Sequence, residues 1–441
     1  MGTIRRRPID RSGSTPPISR RHVLQLGLAG TGAMALGPLG FHARRASADA
    51  PGTNRILVVL NCSGGNDTLN MVIPTLPEYA QVRGALAIPE AVSLSLQSGP
   101  HATTAYRFHP ALLRLKSLWD EGAVSVVNRV GYPAPSLSHF TSQDILSYGF
   151  REAHPTGGPP SGWIARYAEL FAPTPTGAVA VGFGRPKDLM GGTTTPLILS
   201  TLGQFQFNTD GFYPQSNIHR ANAVKSMVAG IPTGGLPKAV AREVGNAYEL
   251  ASHVQDAIAA YSTRTDVPVY SSSALAQSLR EIATLIHGGF DTRIFYTGLS
   301  GFDTHAAQGT TGGGVHPGLL ATLDEAVGTF AADLKLQNVW DRVAVVILTE
   351  FGRRNYPNGS DGTDHGHGFC ALLVGGALAL AGAGGVKGVD LAPIDLTSEY
   401  PLHAVDFRDV LRELVTDHLG ASSASQVFPE AQPSGGVWDV I

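Results

Sequence analysis

Cysteine is nearly absent: Cys62 and Cys370 are the only two among 441 residues. A disulfide framework is thereby excluded, leaving either one bridge or two buried thiols. Charge is sparse as well, with Asp, Glu, Lys and Arg making up 15% of the chain against 43% hydrophobic residues. That balance excludes a disordered, charge-solvated polymer and fits a globular one. No G-x-S-x-G elbow, Walker-type loop or paired C-x-x-C occurs, so three familiar signatures of catalytic or metal sites are missing. The mildly apolar stretch 26–41 is interrupted by glycines and falls short of the roughly 20 residues a membrane-spanning helix needs.

Glycine, by contrast, is plentiful, 53 residues alongside 29 prolines, which implies many tight turns and long structured loops. Ser19, Arg20, Arg21, His22, Val23 and Leu24 read as a twin-arginine export motif within a basic, then apolar, leader, and Ala46-Ser47-Ala48 offers a cleavage site. The expected organisation is a signal peptide over 1–48 and one domain over 49–441, delivered by the export machinery to the periplasm or beyond. The leader holds eight arginines and one aspartate, so removing its net +7 from the formal −3 leaves about −10 on the mature chain. Such a surface argues against nucleic acid or an anionic membrane as the main partner.

Short continuous apolar runs at 55–60, 123–127, 178–183, 293–297, 343–348 and 370–374 have the pattern of strands buried on both faces. Between them, 109–121, 238–262, 273–288 and 316–338 space apolar residues three and four apart, as helices do. Strands alternating with helices predict an α/β fold, a mostly parallel sheet flanked by helices on both faces in a single domain. The small-residue segment 377–388 reads as a turn region.

In open parallel sheets ligands bind beyond the carboxyl ends of the strands, and acidic and imidazole residues gather there. Asp67 follows the first strand. Asp303 and His305 follow the run at 293–297. Glu350, Arg353 and Arg354 follow the run at 343–348. Asp364, His365 and His367 lie in a glycine-flanked loop beyond it. Mixed carboxylate and imidazole donors suit a divalent cation, and the adjoining glycines let the backbone bend so that they converge. Each has a plainer reading too: Asp67 as a helix N-cap, the His-x-His as a solvated loop.

The order of motifs resembles a known family. These are the twin-arginine leader, Gly64-Gly65-Asn66-Asp67, Phe108-His109-Pro110, Ser138-His139-Phe140, Gly162-Trp163, Phe302-Asp303-Thr304-His305 and Thr349-Glu350-Phe351-Gly352-Arg353. Together they are similar to the exported bacterial domain-of-unknown-function family 1501, whose fold is alkaline phosphatase/sulfatase-like. That resemblance implies one or two divalent metal ions (zinc, calcium, manganese or magnesium) acting on a phosphate or sulfate ester. It implies Asp67, Asp303, His305, Glu350 and His365 or His367 as metal ligands. Glu350 stands where an aspartate is usual, and Phe351 where a histidine is usual, which implies one metal instead of two, or a degenerate site. The sulfatase signature of Cys or Ser followed by x-Pro-x-Arg is missing around both cysteines.

Ser138 opens an apolar-periodic segment, 138–149, where a helix N-terminus favours an ionised oxygen or an incoming anion. It is either the nucleophile, with His139 beside it, or a simple N-cap with His139 packing locally; Ser136 and Thr141 are alternates. Arg353 and Arg354 have the chemistry to clamp an anionic ester substrate, and a surface role for one of them is the plainer reading. The expectation is an exported metal-dependent ester hydrolase. Its rival is a secreted binding or assembly protein that kept the fold without the chemistry.

Overall fold

A computed structural model describes residues 54–150, 161–193, 196–206 and 235–429, with a few positions between 219 and 230 and at 438, 439 and 441. The export signal read at 1–48 and most of the 151–162 loop lie outside the described residues.

Twelve strands are described: β1 (Ile56–Ser63), β2 (Val72–Pro74), β3 (Leu94–Ser95), β4 (Tyr106–Phe108), β5 (Val124–Gly131), β6 (Ala178–Val181), β7 (Leu197–Leu199), β8 (Ile294–Ser300), β9 (Val343–Leu348), β10 (Phe369–Val374), β11 (Gly385–Gly388) and β12 (Val405–Asp406). Nine form one sheet in the order β11-β5-β10-β9-β1-β8-β6-β7, with β12 also pairing β5. β2, β4 and β3 make a small antiparallel sheet. In the large sheet only β10 runs against its neighbours β5 and β9; the other pairs are parallel. The mostly parallel sheet expected from the strand–helix alternation is what forms.

β1 alternates between two cores. Val58, Leu60 and Cys62 face one side, with the helices Leu113–Asp120, Ala274–His287 and Val315–Leu336. Leu57 and Val59 face the other, with Trp163–Phe171 and Phe407–Glu413. A strand covered on both faces has no solvent side to mark with polar residues, which is why β1 and β9 read as unbroken apolar runs. Cys62 and Cys370 are buried free thiols, so the bridge left open by the sequence does not form. Segment 377–388 is more than a turn: it holds the end of a short helix, Gly376–Ala381, and the edge strand β11. Alanine and leucine are good helix formers even in a run of six, and Gly382, at φ +68°, closes that helix in the left-handed conformation glycine tolerates.

The orientation of the sheet sets the site. β9, β1 and β8 are adjacent and parallel, so their carboxyl ends share one rim. β5 points the same way, being related to β9 through two antiparallel pairings. Residues following β1, β5, β8 and β9, and those preceding β10, all emerge at that rim.

Candidate metal centre

After β1 the chain turns through Gly64 and Gly65, both at positive φ. A Cβ on Gly64 would lie 2.4 Å from the Asp303 nitrogen, and one on Gly65 would meet the Phe351 ring. Glycine here permits the β1 turn to touch the segments after β8 and β9. Beyond β9, residues 352–354 run against 364–367: Gly366 N–H donates to the Gly352 carbonyl at 2.8 Å, and Gly352 N–H to that of His367 at 2.9 Å. His365 pairs across this narrow ribbon with Arg353.

From β5 the chain reaches the helix His139–Tyr148 through a turn locked by Tyr132. The Tyr132 hydroxyl donates to Ser142 Oγ (2.8 Å) and accepts from Ser136 N–H (3.1 Å), while Ser142 Oγ donates to Ser136 O at 2.8 Å. Ser138 is the N-cap residue, as its sequence position suggested, yet its side chain makes no capping hydrogen bond and is exposed. His139, the next residue, turns inward.

Three imidazoles meet one carboxylate. Asp303 Oδ1 lies 3.2 Å from His305 Nε2, 3.2 Å from His365 Nε2 and 3.4 Å from His139 Nε2, and the His305 and His365 Nε2 atoms are 2.9 Å apart. The ligand atoms of His139, Asp303 and His365 all lie within 4.8 Å of one another. Every Nδ1 in the group faces an acceptor: Glu350 Oε1 at 2.7 Å for His139, Asp364 Oδ1 at 3.0 Å for His305, and the Leu137 carbonyl at 2.7 Å for His365. The neutral tautomer that satisfies all three carries its lone pair on Nε2. His139 Nε2 is buried and has no hydrogen-bond partner. Lone pairs aimed at a carboxylate oxygen repel unless a proton or a cation lies among them. A tetrahedral ion bound at about 2.0–2.1 Å spaces neighbouring ligand atoms about 3.3 Å apart, so the donor set and its spacing fit a divalent metal.

Electrostatics favour an ionised Asp303 and a neutral His365 but raise His139. Partial burial pushes the Asp303 carboxyl up, but the hydrogen bond from Arg353, the close approach of His365 and the nearby positive charge outweigh it, holding it at about 2. The hydrogen bond to Glu350 leads in raising His139, whereas burial lowers His365. Phe351 is buried and lies against both rings, its centroid 4.8 Å from His139 and 4.7 Å from His365.

Of the residues expected at the site, Asp303, His305 and His365 are brought together. Glu350 joins them indirectly, through His139. Asp67 takes another role. It sits at the N-cap position of the helix Thr68–Met71, fully buried, with its carboxylate ion-paired to Arg83 and accepting from Gln308 Nε2 at 2.6 Å. Burial pushes its carboxyl up, but Arg83, His316 and Gln308 overcome this and hold it below the usual range. His367 turns away at a bend in the chain, places Nε2 2.9 Å from the Tyr132 carbonyl, and packs 4.9 Å from the His403 ring.

Arg353, expected to grip an anion, is buried beneath the cluster. Its three nitrogens donate to the carbonyls of Gly64, Gly65, Phe302 and Thr363 and, at 2.7 Å, to Asp303 Oδ1. It ties the β1, β8 and β9 turns together. Arg354 pairs with Glu399 at 2.8 Å on the surface. His139 was read as a partner of Ser138; only its tertiary placement reveals an aim at Asp303, because a single histidine after a serine carries no such signal. Asp364, which fixes His305, was noted in its cluster without a role.

Fold and site together define an α/β protein whose parallel strands end in one histidine–aspartate cluster. The chain belongs to the family described as "Protein of unknown function (DUF1501)", which matches residues 129–395, more than half of its length. No curated protein matches it in sequence. Solved structures with a distant likeness include a Vibrio parahaemolyticus protein in the alkaline phosphatase superfamily (11% identity, 85% of this chain and 69% of that one, TM-score 0.36). Two others are the lipoteichoic acid synthase LtaP from Listeria monocytogenes (10%, 86% and 74%, 0.34) and the zinc-complexed C-terminal periplasmic domain of EcEptC from Escherichia coli (11%, 86% and 87%, 0.34).

Proposed function

We propose that this protein is an exported metal-dependent hydrolase of phosphate or sulfate esters, with its cation held by His139 Nε2, Asp303, His305 Nε2 and His365 Nε2. The observation that carries the reading is the set of imidazoles whose Nδ1 atoms face acceptors and whose Nε2 atoms face one carboxylate oxygen. Three nitrogens and one oxygen suit zinc or a similar borderline ion better than calcium or magnesium, which favour oxygen throughout. A bound divalent cation supplies polarisation of the ester oxygen and a lowered nucleophile pKa.

The chain's own residues supply the rest. His139, His305 and Asp303 have part-exposed side chains, so an ester reaches the cluster from solvent. The Ser138 hydroxyl, exposed at a helix N-terminus and next in sequence to His139, is the candidate nucleophile; the helix dipole there favours an anionic group. Arg353 holds the floor of the site in register.

One observation favours the rival, a non-catalytic secreted protein: among the described residues no hydroxyl hydrogen-bonds to His139, His305 or His365. Metal analysis of the mature protein separates the two. Near-stoichiometric zinc, lost in Asp303→Ala together with turnover of p-nitrophenyl phosphate or sulfate, is the expected result. A protein that stays metal-free after reconstitution, or an Asp303→Ala variant with full turnover, sinks the hydrolase reading.

A further inference from the structure

Glu350 occupies a strand-end position from which a carboxylate would be expected to bind a cation directly. Its surroundings assign it a different task. The side chain is 2% exposed, and a buried carboxylate needs partners for each oxygen. Oε1 accepts from Gly64 N–H at 2.9 Å and faces His139 Nδ1 at 2.7 Å; Oε2 accepts from Thr349 Oγ1 at 3.2 Å. An oxygen receiving two N–H donors has both lone pairs engaged, so the oxygen nearest the cluster has none left for a metal.

The same contacts fix His139. A carboxylate at Nδ1 keeps the proton there and leaves the lone pair on Nε2, the buried atom without a partner that faces Asp303. The next residue, Phe351, lies against the ring face. Consecutive residues at the end of β9 thus govern both freedoms of one imidazole, Glu350 its tautomer and Phe351 its plane. Gly64 N–H in turn fixes the carboxylate, and Gly64 is the residue whose lack of a side chain lets β1 approach Asp303.

We infer that Glu350 is a positioning residue, not a ligand: it holds His139 in the Nδ1–H tautomer and so prepares Nε2 to bind the cation. This rests on the metal-centre reading above, but the tautomer can be tested without any metal. In metal-free protein at pH 8, imidazole nitrogen-15 shifts should show His139 protonated on Nδ1, and Glu350→Ala should shift it toward Nε2–H. Zinc titration should find affinity weakened about 10- to 100-fold in Glu350→Ala. Glu350→Gln, whose amide oxygen still accepts from both N–H groups, should recover most of it and leave the cobalt(II) absorption spectrum unchanged. It also serves as the variant to read should Glu350→Ala fail to fold.

Three results would overturn the inference: a cobalt spectrum in Glu350→Gln that shows a lost ligand, unchanged zinc affinity in both variants, or an Nε2–H tautomer in the wild type. A wild type that binds no metal but shows the Nδ1–H tautomer, lost in Glu350→Ala, removes the metal reading while leaving the positioning role intact.

Discussion

One oxygen of Asp303 faces four nitrogens, the guanidinium of Arg353 and the imidazoles of His139, His305 and His365. Asp303, His305 and His365 were legible in the sequence as polar residues at strand ends among glycines. Asp67 was equally conspicuous there but answers to Arg83, a partner visible only once the chain folds. A different buried acid, Asp188, titrates on its own. Burial pushes its carboxyl up to about 6, against hydrogen bonds including one from Ser147 Oγ at 2.8 Å. Its folded value lies above the unfolded value of about 3.9, so its contribution to stability is intact below about pH 4 and is lost as pH rises through about 6. The loss is on the order of 2–3 kcal/mol. Asp188→Asn should therefore gain stability at pH 8 relative to its effect at pH 4, a difference that denaturant unfolding at the two pH values will measure. An equal effect at both would contradict the buried, proton-binding environment.

At the level of elements, the apolar runs and helical spacings located β1, β5, β6, β8, β9, β10 and the long helices well, because burial on both faces leaves a plain signature. The small sheet, the edge strand β11 and the bend that separates His365 from His367 were not legible; they depend on backbone contacts between segments far apart in sequence. The β1 turn shows this most sharply. Gly64 is needed for the approach to Asp303 as well as for its positive φ. Gly64→Ala should destabilise the protein by about 1–3 kcal/mol through strain. It should also displace Asp303 enough to impair zinc uptake, in a way that Gly289→Ala, at positive φ but with open space around it, does not. Thermal unfolding and zinc titration of the two variants provide the comparison; equal zinc uptake would detach the turn from the site.

For the molecule as a whole, a cation bound only by the folded state stabilises it by mass action, about 2.7 kcal/mol at a hundred times its dissociation constant. Adding zinc to chelator-treated protein should raise its melting temperature, and Asp303→Ala should abolish that shift while retaining the fold. A melting temperature indifferent to zinc would count against a site at the rim. The buried, unbridged thiols Cys62 and Cys370 make this experiment practicable under reducing conditions.

The donors at the rim come from widely separated stretches, beginning with His139 after β5 and ending with His365 just before β10. A nascent polypeptide emerging from the ribosome cannot assemble them until most of it has been synthesised and the central strands have paired. If the proposed cation is bound there, its acquisition would be a late event in biosynthesis, and a loaded centre would certify that translation and folding of the core had both run nearly to completion.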